Sequence, residues 1–344
     1  MSNPRSQSFA ADLKNAGRGL LMGGADIIPG VSGGTVALIL GIYERLLGAL
    51  GNFDLTLVQL VRHGRWRQAG EHIDLRFLLA LGAGIATGIV GLASTMHYLL
   101  RYHSEVTWAF FFGLILGSTY LVARWVRPCS ASAVFAAIAG AAFAYWLVGQ
   151  LPTTPPPGYW YVFVCGAVAI CAMILPGISG AFILVIMGMY FHVTGILKET
   201  LGGNVSLESL LMIAIFGAGC GVGLLSFSKF LRWLLHRHEA LTMATLGGFM
   251  LGSLRKIWPF KQDMTTLAHL QRLGLPEEKL AQFREAPEQL DLQYRLLENR
   301  LPAALTQEVW LIFALMIAGV ALVLVLDYFS RATPQALPLK DEQP

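Results

Sequence analysis

Two segments of the sequence place proline, glycine and serine at the same spacing inside apolar runs. The first is Asp26-Ile27-Ile28-Pro29-Gly30-Val31-Ser32-Gly33-Gly34-Thr35, and the second is Leu175-Pro176-Gly177-Ile178-Ser179-Gly180-Ala181. Proline lacks a backbone donor and glycine has little conformational preference, so each segment is predicted to end one helix and begin another. Backbone N–H groups at such a helix start attract anions, phosphate above all.

Hydroxyl and amide donors after each break form the predicted anion site. We predict that phosphate is bound by Ser32, Gly33, Gly34, Thr35, Ser179 and Gly180. The breaks themselves are Pro29, Gly30, Pro176 and Gly177. The alternative is that glycine and serine only let helices cross closely, as small residues do in membranes. If the two segments meet from opposite sides of the membrane, a binding site is favoured over close helix packing.

Asp26 lies three residues before the first break, where an ionised carboxylate at membrane depth needs a partner or a function. It would repel an anion unless it were protonated, paired with a base or holding a cation, so we predict that it couples transport to protons or sodium. The alternative is a carboxylate that only caps the hairpin. Met173 and Phe182 replace Asp26 and Thr35 in the second segment, so the first segment is predicted to do the coupling.

Glu44 and Arg45 complete the set of ionisable residues considered for coupling. If the chain after the break is one helix, they lie roughly 15 Å from the break at 1.5 Å per residue, near the membrane interface. Their role there is either an interfacial ion pair or the capture of a lipid headgroup.

The composition is that of an integral membrane protein. Of 344 residues, 55% are hydrophobic and 13% are charged, against roughly 25% charged in soluble domains. Apolar runs of about the 20 residues that span a bilayer occur at 76–100, 107–126, 130–150, 209–235, 241–257 and 307–328. The net charge of +4 says little about partners, and no nucleic-acid partner is expected.

The chain repeats itself. Aligning Pro29–Leu50 with Pro176–Leu197 gives nine identical residues. They are Pro29/Pro176, Gly30/Gly177, Ser32/Ser179, Gly33/Gly180, Ile39/Ile186, Gly41/Gly188, Tyr43/Tyr190, Gly48/Gly195 and Leu50/Leu197. Aligning Gly82–Ser118 with Gly217–Ser253 gives thirteen more. We therefore predict two homologous halves.

The positions of the basic residues indicate how each half crosses the membrane. If each Pro-Gly segment is a re-entrant hairpin, the basic stretches at 51–75, 124–127 and 229–237 all fall on the cytoplasmic side. If each segment crossed fully, one of these stretches would be forced outside. With hairpins, each half has three full spans, an odd number, so the halves point in opposite directions. Such inverted repeats are typical of alternating-access transporters.

We therefore predict an all-α polytopic membrane protein with two inverted-topology repeats, each a re-entrant helical hairpin with a Pro-Gly break plus three transmembrane helices. The predicted boundaries are a cytoplasmic N-terminal tail at 1–13, a first repeat at 14–150 with its hairpin at 14–50, a Pro-rich linker at 151–158, a second repeat at 159–330 with its hairpin at 159–197, and a cytoplasmic C-terminal tail at 331–344.

Two regions lie outside this symmetry. Residues 258–306 form an extracytoplasmic insertion whose leucine spacing predicts short amphipathic helices, and it is interpreted as a cap or a homodimer contact. In the loop at 51–75, Arg62, Arg65, Trp66 and Arg67 are interpreted as an anchor to anionic membrane lipids.

The enzymatic interpretations are weak. Gly30-Val31-Ser32-Gly33-Gly34 matches the G-x-S-x-G elbow of serine hydrolases, but that motif needs a strand before it and a helix after it in an α/β sheet. The sequence has no nucleotide-binding G-x-x-x-x-G-K-[ST] motif, and its four cysteines show no C-x-x-C spacing. We predict that the protein is not an enzyme and needs no cofactor or metal.

The segment Asp26–Thr35, followed by Gly41-Ile42-Tyr43-Glu44 and echoed at Leu175–Gly180, resembles the bacterial polyprenyl-phosphate transporter family. The resemblance covers about residues 14–330 and implies an inner-membrane translocase that returns undecaprenyl phosphate, the lipid carrier of envelope polymers such as peptidoglycan, from the outer to the inner leaflet. A phosphate head needs a donor-rich crossing point while its apolar tail stays in the bilayer. The alternative is an ion-coupled transporter of a small anionic solute.

Overall fold

The computed structural model describes residues 9–27, 32–203, 205–273, 275, 277–287, 290, 294–302 and 304–332. The predicted break at Pro29 and Gly30 therefore lies outside the described residues, as do most of the two predicted tails. The second break, at Pro176 and Gly177, is described.

Helices account for nearly all of the described secondary structure, as predicted. In the first half they are α1 (Phe9–Asp26), α2 (Gly33–Ile39), α3 (Tyr43–Gly51), α4 (Leu55–Arg62), α5 (Trp66–His72), α6 (Leu75–Tyr102), α7 (Ser104–Trp125) and α8 (Ala131–Leu147). In the second half the elements are α9 (Tyr159–Ile174), α10 (Gly180–Ile186), α11 (Tyr190–Leu201), α12 (Leu207–Arg237), α13 (Glu239–Ser253), β1 (Lys261–Asp263), α14 (Leu267–Arg272), α15 (Glu277–Glu285), β2 (Leu297–Asn299) and α16 (Gln307–Ala332).

The six predicted apolar runs are all helical. In the described part of the chain, α6, α7, α12 and α16 are long and apolar enough to cross a membrane, and α8 and α9 are shorter apolar helices. Serine hydroxyls begin two of these helices by accepting backbone N–H groups, Ser130 for α8 and Ser206 for α12. The protein is therefore a multi-pass membrane protein.

Glycines set the distance between α1 and α6. A Cβ atom on Gly84 would lie 2.0 Å from the carbonyl oxygen of Ala16, and one on Gly88 would lie 2.3 Å from that of Leu20. The two backbones thus touch, which small residues allow in membranes. Residue numbers rise together along this contact, so α1 and α6 run in the same direction.

The second half repeats this contact residue by residue. A Cβ on Gly219 of α12 would lie 2.1 Å from the Phe163 carbonyl of α9, and one on Gly223 would lie 2.5 Å from that of Ala167. Gly219 and Gly223 are the aligned counterparts of the two glycines in α6. The matched contact supports the predicted duplication.

The remaining helices exchange partners between the halves. α7 packs against α16, where a Cβ on Gly113 would lie 2.0 Å from the Met316 carbonyl. Its counterpart α13 packs against α8, where a Cβ on Gly248 would lie 2.2 Å from the Ala137 carbonyl. The last helix of the first half, α8, therefore packs against the second half, and the last helix of the second half, α16, packs against the first.

Helix directions also support the predicted inversion. One turn further along each exchanged pair, Gly117 meets Val320 and Gly252 meets Ala141, so α7 runs parallel to α16 and α13 runs parallel to α8. Phe112 shares a cleft with Leu254, whereas Val122, further along α7, lies against Gly247, nearer the start of α13. α13 therefore runs opposite to its own counterpart, α7. This is the relation that inverted repeats require.

The insertion contains the short helices that its leucines predict, α14 and α15. The strands β1 and β2, which were not predicted, pair antiparallel with Lys261 opposite Asn299. Leu270, Leu275 and Leu280 share a small core with Tyr294, whose ring stacks on Phe191 of α11 at 4.8 Å between centroids. The insertion therefore packs on the second hairpin.

The glycine contacts give a stability prediction with a matched control. Replacing Gly84 with Ala is expected to lower the free energy of unfolding by about 1–3 kcal/mol, because the new methyl group meets backbone that cannot move aside. At Gly82, on the same helix, nothing lies within 4 Å of the position that a methyl group would take. Thermal unfolding in detergent should show a lower midpoint for Gly84→Ala and an unchanged midpoint for Gly82→Ala. Equal midpoints would contradict the backbone contact.

Candidate functional site

The two hairpin tips meet in the interior. The amide of Gly177 donates to the hydroxyl of Thr35 at 2.9 Å, and the hydroxyl of Ser32 donates to the Met173 carbonyl at 3.3 Å. Ser32 and Thr35 are each only 1% exposed. The structure thus brings together residues from both predicted halves of the site, which lie far apart in sequence.

Two side chains cap the start of α2. Ser32 is its N-cap and accepts the Gly34 amide at 3.1 Å, while Asp26 accepts the Gly33 amide at 2.7 Å. Both contacts satisfy amides that a helix start leaves without partners. The positive end of α2 also abuts the carbonyl end of α9, since a Cβ on Gly34 would lie 2.6 Å from the Ile174 oxygen.

The prediction of free amides at the first tip is wrong for this conformation. The amides of Gly33, Gly34 and Thr35 all have acceptors within the protein, the last being the Ser32 carbonyl at 2.9 Å. The physical reason is burial, because a backbone amide inside an apolar protein must be paired. The amides of the first tip are therefore paired within that tip.

The second tip begins α10 with a serine cap, as the first tip begins α2. Ser179 is the N-cap of α10 and accepts the Phe182 amide at 3.4 Å, and Gly180 is buried. A Cβ on Gly180 would lie 2.5 Å from the Ala169 carbonyl, so glycine is required for α10 to pack on α9. Gly177 has φ +85, a conformation that favours glycine.

Asp26 acts as a cap, which was the alternative interpretation. Among the described residues, no basic side chain forms an ion pair with it. Its capping contact is compatible with the coupling role, since an aspartate can accept the Gly33 amide through one oxygen and bind a proton through the other. Asp26 therefore remains a proposed coupling residue.

The arm after each tip is broken a second time, contrary to the assumption of one continuous helix. α2 and α3 are bent by 117°, and α10 and α11 are bent by 115°. Gly41 and Gly188 adopt φ +67 and φ +72 at these bends. The amides of Ile42 and Met189 bond back across the helix ends to Ala37 and Leu184, as in a glycine-ended helix cap.

This bend changes the position predicted for Glu44 and Arg45, which lie on α3 rather than further along α2. Arg45 pairs with Asp74 at 2.6 Å, and its guanidinium lies 4.2 Å from the centroid of the Phe77 ring. Glu44 is exposed. The predicted ion pair therefore exists for Arg45, but its partner is Asp74 and not Glu44.

Tyr43 is a site residue that the sequence reasoning missed. Its buried hydroxyl donates to the Ile174 carbonyl at 3.0 Å and so ties α3 to the end of α9. Its alignment with Tyr190 was the available signal, but the identity alone does not show where the hydroxyl points.

Comparisons with known proteins show the family of this chain. Residues 22–272, which include both tips, match a family described as VCA0040-like, undecaprenyl phosphate translocase-like. A polyprenyl-phosphate transporter of Vibrio cholerae is 40% identical over 91% of this chain and 96% of its own length. A polyprenyl-phosphate transporter of Staphylococcus aureus is 29% identical over 70% of this chain and 84% of its own length. No solved structure gives a significant match. The chain therefore belongs to the undecaprenyl phosphate translocase-like family.

Proposed function

We propose that this protein translocates polyprenyl phosphate, with undecaprenyl phosphate as the substrate, from the outer to the inner leaflet of the bacterial cytoplasmic membrane. The contact between the tips, Gly177 to Thr35, is the observation that carries this proposal, because a polar contact between two buried hairpin tips suits a crossing point between the two halves of a transporter. The names of the two relatives support the choice of substrate.

The closed tips suggest how the phosphate head crosses. Separating them breaks the contacts of Thr35 with Gly177 and of Ser32 with Met173. Two hydroxyls and one backbone amide then become available, and together with Gly33, Gly34, Ser179 and Gly180 they form the proposed phosphate path. A charged head is costly in hydrocarbon, whereas the isoprenoid tail is not, so only the head needs this path.

Asp26 is the proposed coupling residue. Protonation, or binding of sodium, removes the repulsion between its carboxylate and an arriving phosphate. Because Asp26 also accepts the Gly33 amide, a change in its charge acts directly on the first tip. We propose that Glu44 and Arg45 act at the cytoplasmic interface, where Arg45 with Asp74 holds α3 in place. Both termini are proposed to be cytoplasmic.

Reconstitution tests the function. The purified protein is inserted into liposomes that contain undecaprenyl phosphate in both leaflets, and an added water-soluble phosphatase releases phosphate from the outer leaflet. Protein-free liposomes should lose only the outer pool, whereas the protein should expose nearly the whole pool, faster with a proton or sodium gradient. Exposure no faster than in protein-free liposomes would contradict the proposal. Transport of soluble phosphate instead would favour the small-anion alternative.

A further inference from the structure

An open cleft lies where α13 ends and the insertion rejoins the bundle. Its volume is about 410 Å³, and its lining includes Phe112 of α7, Tyr145 of α8, Arg255 after α13 and Arg300 after β2. None of the described residues that line it is acidic. The cleft is thus lined by two arginines and, among the described residues, by no carboxylate.

Neither arginine forms an ion pair with a described residue. Arg255 lies 4.4 Å from the centroid of the Tyr145 ring and donates to the Tyr145 carbonyl at 2.9 Å. The backbone of Arg300 is fixed by Phe260 and Trp258, while its side chain is exposed. Guanidinium groups bind phosphate through two parallel hydrogen bonds, so these side chains suit a phosphate head.

Two lysines lie beside the cleft. The ammonium of Lys256 lies 4.2 Å from the centroid of the Phe182 ring, and that of Lys261 lies 4.7 Å from that of Trp108. Burial, followed by the charge of Lys256, lowers the pKa of Lys261 to about 7. This cluster of basic side chains suits a negatively charged ligand, which would favour their protonated forms.

An apolar groove continues from the cleft. It has a volume of about 710 Å³ between α8 and α13, and Tyr145 and Leu251 line both the groove and the cleft. Along α8 it extends from Ala133 to Tyr145, which is about 18 Å at 1.5 Å per residue. Ile138 at its edge is 63% exposed, so the groove opens on the outer face of the bundle.

We propose that the cleft and the groove form a capture site for polyprenyl phosphate, in which Arg255 and Arg300 bind the phosphate and the groove holds the tail. This site rests on the proposed function and is separate from the hairpin tips. A cationic end joined to a long apolar groove fits an amphiphile with an anionic head, whereas soluble phosphate would use the cleft alone. Lys256 lies between the cleft and Phe182 of the second hairpin, so it marks the route inward.

Binding to the purified full chain in detergent tests the head contact. Arg300→Gln should weaken the binding of undecaprenyl phosphate at least about tenfold, since a charge-assisted hydrogen bond is lost, and should leave undecaprenol, which lacks phosphate, unchanged. The matched control is Arg284→Gln, an exposed arginine of the same insertion. The backbone contacts of Arg300 do not depend on its side chain, so the variant should fold.

A second pair of variants tests whether the groove binds the lipid tail. Ala142 lines it and Ala139 does not, although both are exposed on α8. Ala142→Trp should weaken the binding of undecaprenyl phosphate about tenfold and leave that of inorganic phosphate, which uses the cleft alone, unchanged, whereas Ala139→Trp should change neither. Equal displacement of undecaprenyl phosphate by phosphatidylglycerol would overturn the proposal, because the groove would then be a general lipid contact.

The outcomes separate this inference from the proposed function. If the wild-type protein translocates undecaprenyl phosphate while Arg300→Gln and Ala142→Trp bind and translocate it at wild-type levels, only the capture site is refuted. If the wild-type protein neither binds nor translocates undecaprenyl phosphate, both proposals fail. Weaker binding in these two variants, with normal binding in their controls, supports the capture site.

Discussion

Replacing Ser32 with Trp is expected to reduce translocation of undecaprenyl phosphate to the level of protein-free liposomes. Ser32 is 1% exposed, and its hydroxyl contacts the Met173 carbonyl of the opposite hairpin. An indole cannot occupy that space unless the tips separate, so the variant loses the closed state that seals the crossing point. The apolar spans are unchanged, and the protein should still insert into the membrane.

Ser226→Trp is the matched control for this variant. Ser226 is exposed on α12, and its hydroxyl bonds only within its own helix, to Val222 and Gly223. Translocation should therefore stay at the wild-type rate. The milder Ser32→Ala removes the cap of α2 at a cost of about 1 kcal/mol and should retain partial activity. Wild-type translocation by Ser32→Trp, with helical content verified by circular dichroism, would refute the role of the tips.

Asp26→Asn is expected to abolish ion-coupled translocation while leaving stability nearly unchanged. Asparagine keeps an oxygen that can accept the Gly33 amide, so the capping contact at 2.7 Å is preserved. The substituted side chain can no longer carry a negative charge or bind a proton. The measurement compares phosphatase accessibility with and without a proton or sodium gradient, together with the thermal unfolding midpoint.

Two further variants separate capping from coupling. Asp26→Ala removes both functions and should lower the free energy of unfolding by about 1 kcal/mol as well as stop transport. Glu105→Gln neutralises an exposed carboxylate at the start of α7 and should change neither property. If Asp26→Asn transports like the wild type while Asp26→Ala is only less stable, Asp26 is a cap and the coupling residue must be sought elsewhere.

The helices and the meeting of the tips could be predicted from the sequence because both depend on repeated, local patterns. Apolar runs of membrane-spanning length give the helices directly. The duplicated Pro-Gly segments indicate two related hairpins, and the contact between Thr35 and Gly177 shows that their tips meet.

The second break in each hairpin could not be predicted, although Gly41 and Gly188 are identical in the alignment. A glycine in an apolar helix is equally compatible with close packing and with a helix end, and only its positive φ decides between them. Capping by Asp26, which accepts the Gly33 amide, was the alternative interpretation of that residue, whereas the acceptor of the Gly34 amide, Ser32, was missed, because a sequence shows the donors of a helix start but not the acceptors that fold onto them.

The arginine cleft lay beyond sequence reasoning for a different reason. Arg255 and Arg300 are brought together by the insertion, whose strands β1 and β2 pair and return the chain to the end of α13. Three-residue strands with mixed charge carry little periodic signal. The position of Arg300 therefore depends on tertiary structure alone.

The exchange of last helices between the halves constrains how the chain matures. As the protein is synthesised, α7 reaches the membrane early, but the helix that covers its Gly113 face, α16, is made last. Until then the face stays open to lipid or to other chains, and the first half cannot reach its final packing. Truncation before α16 would therefore damage the first half as well as the second, and the two halves, expressed as separate polypeptides, should become stable only when they are made together.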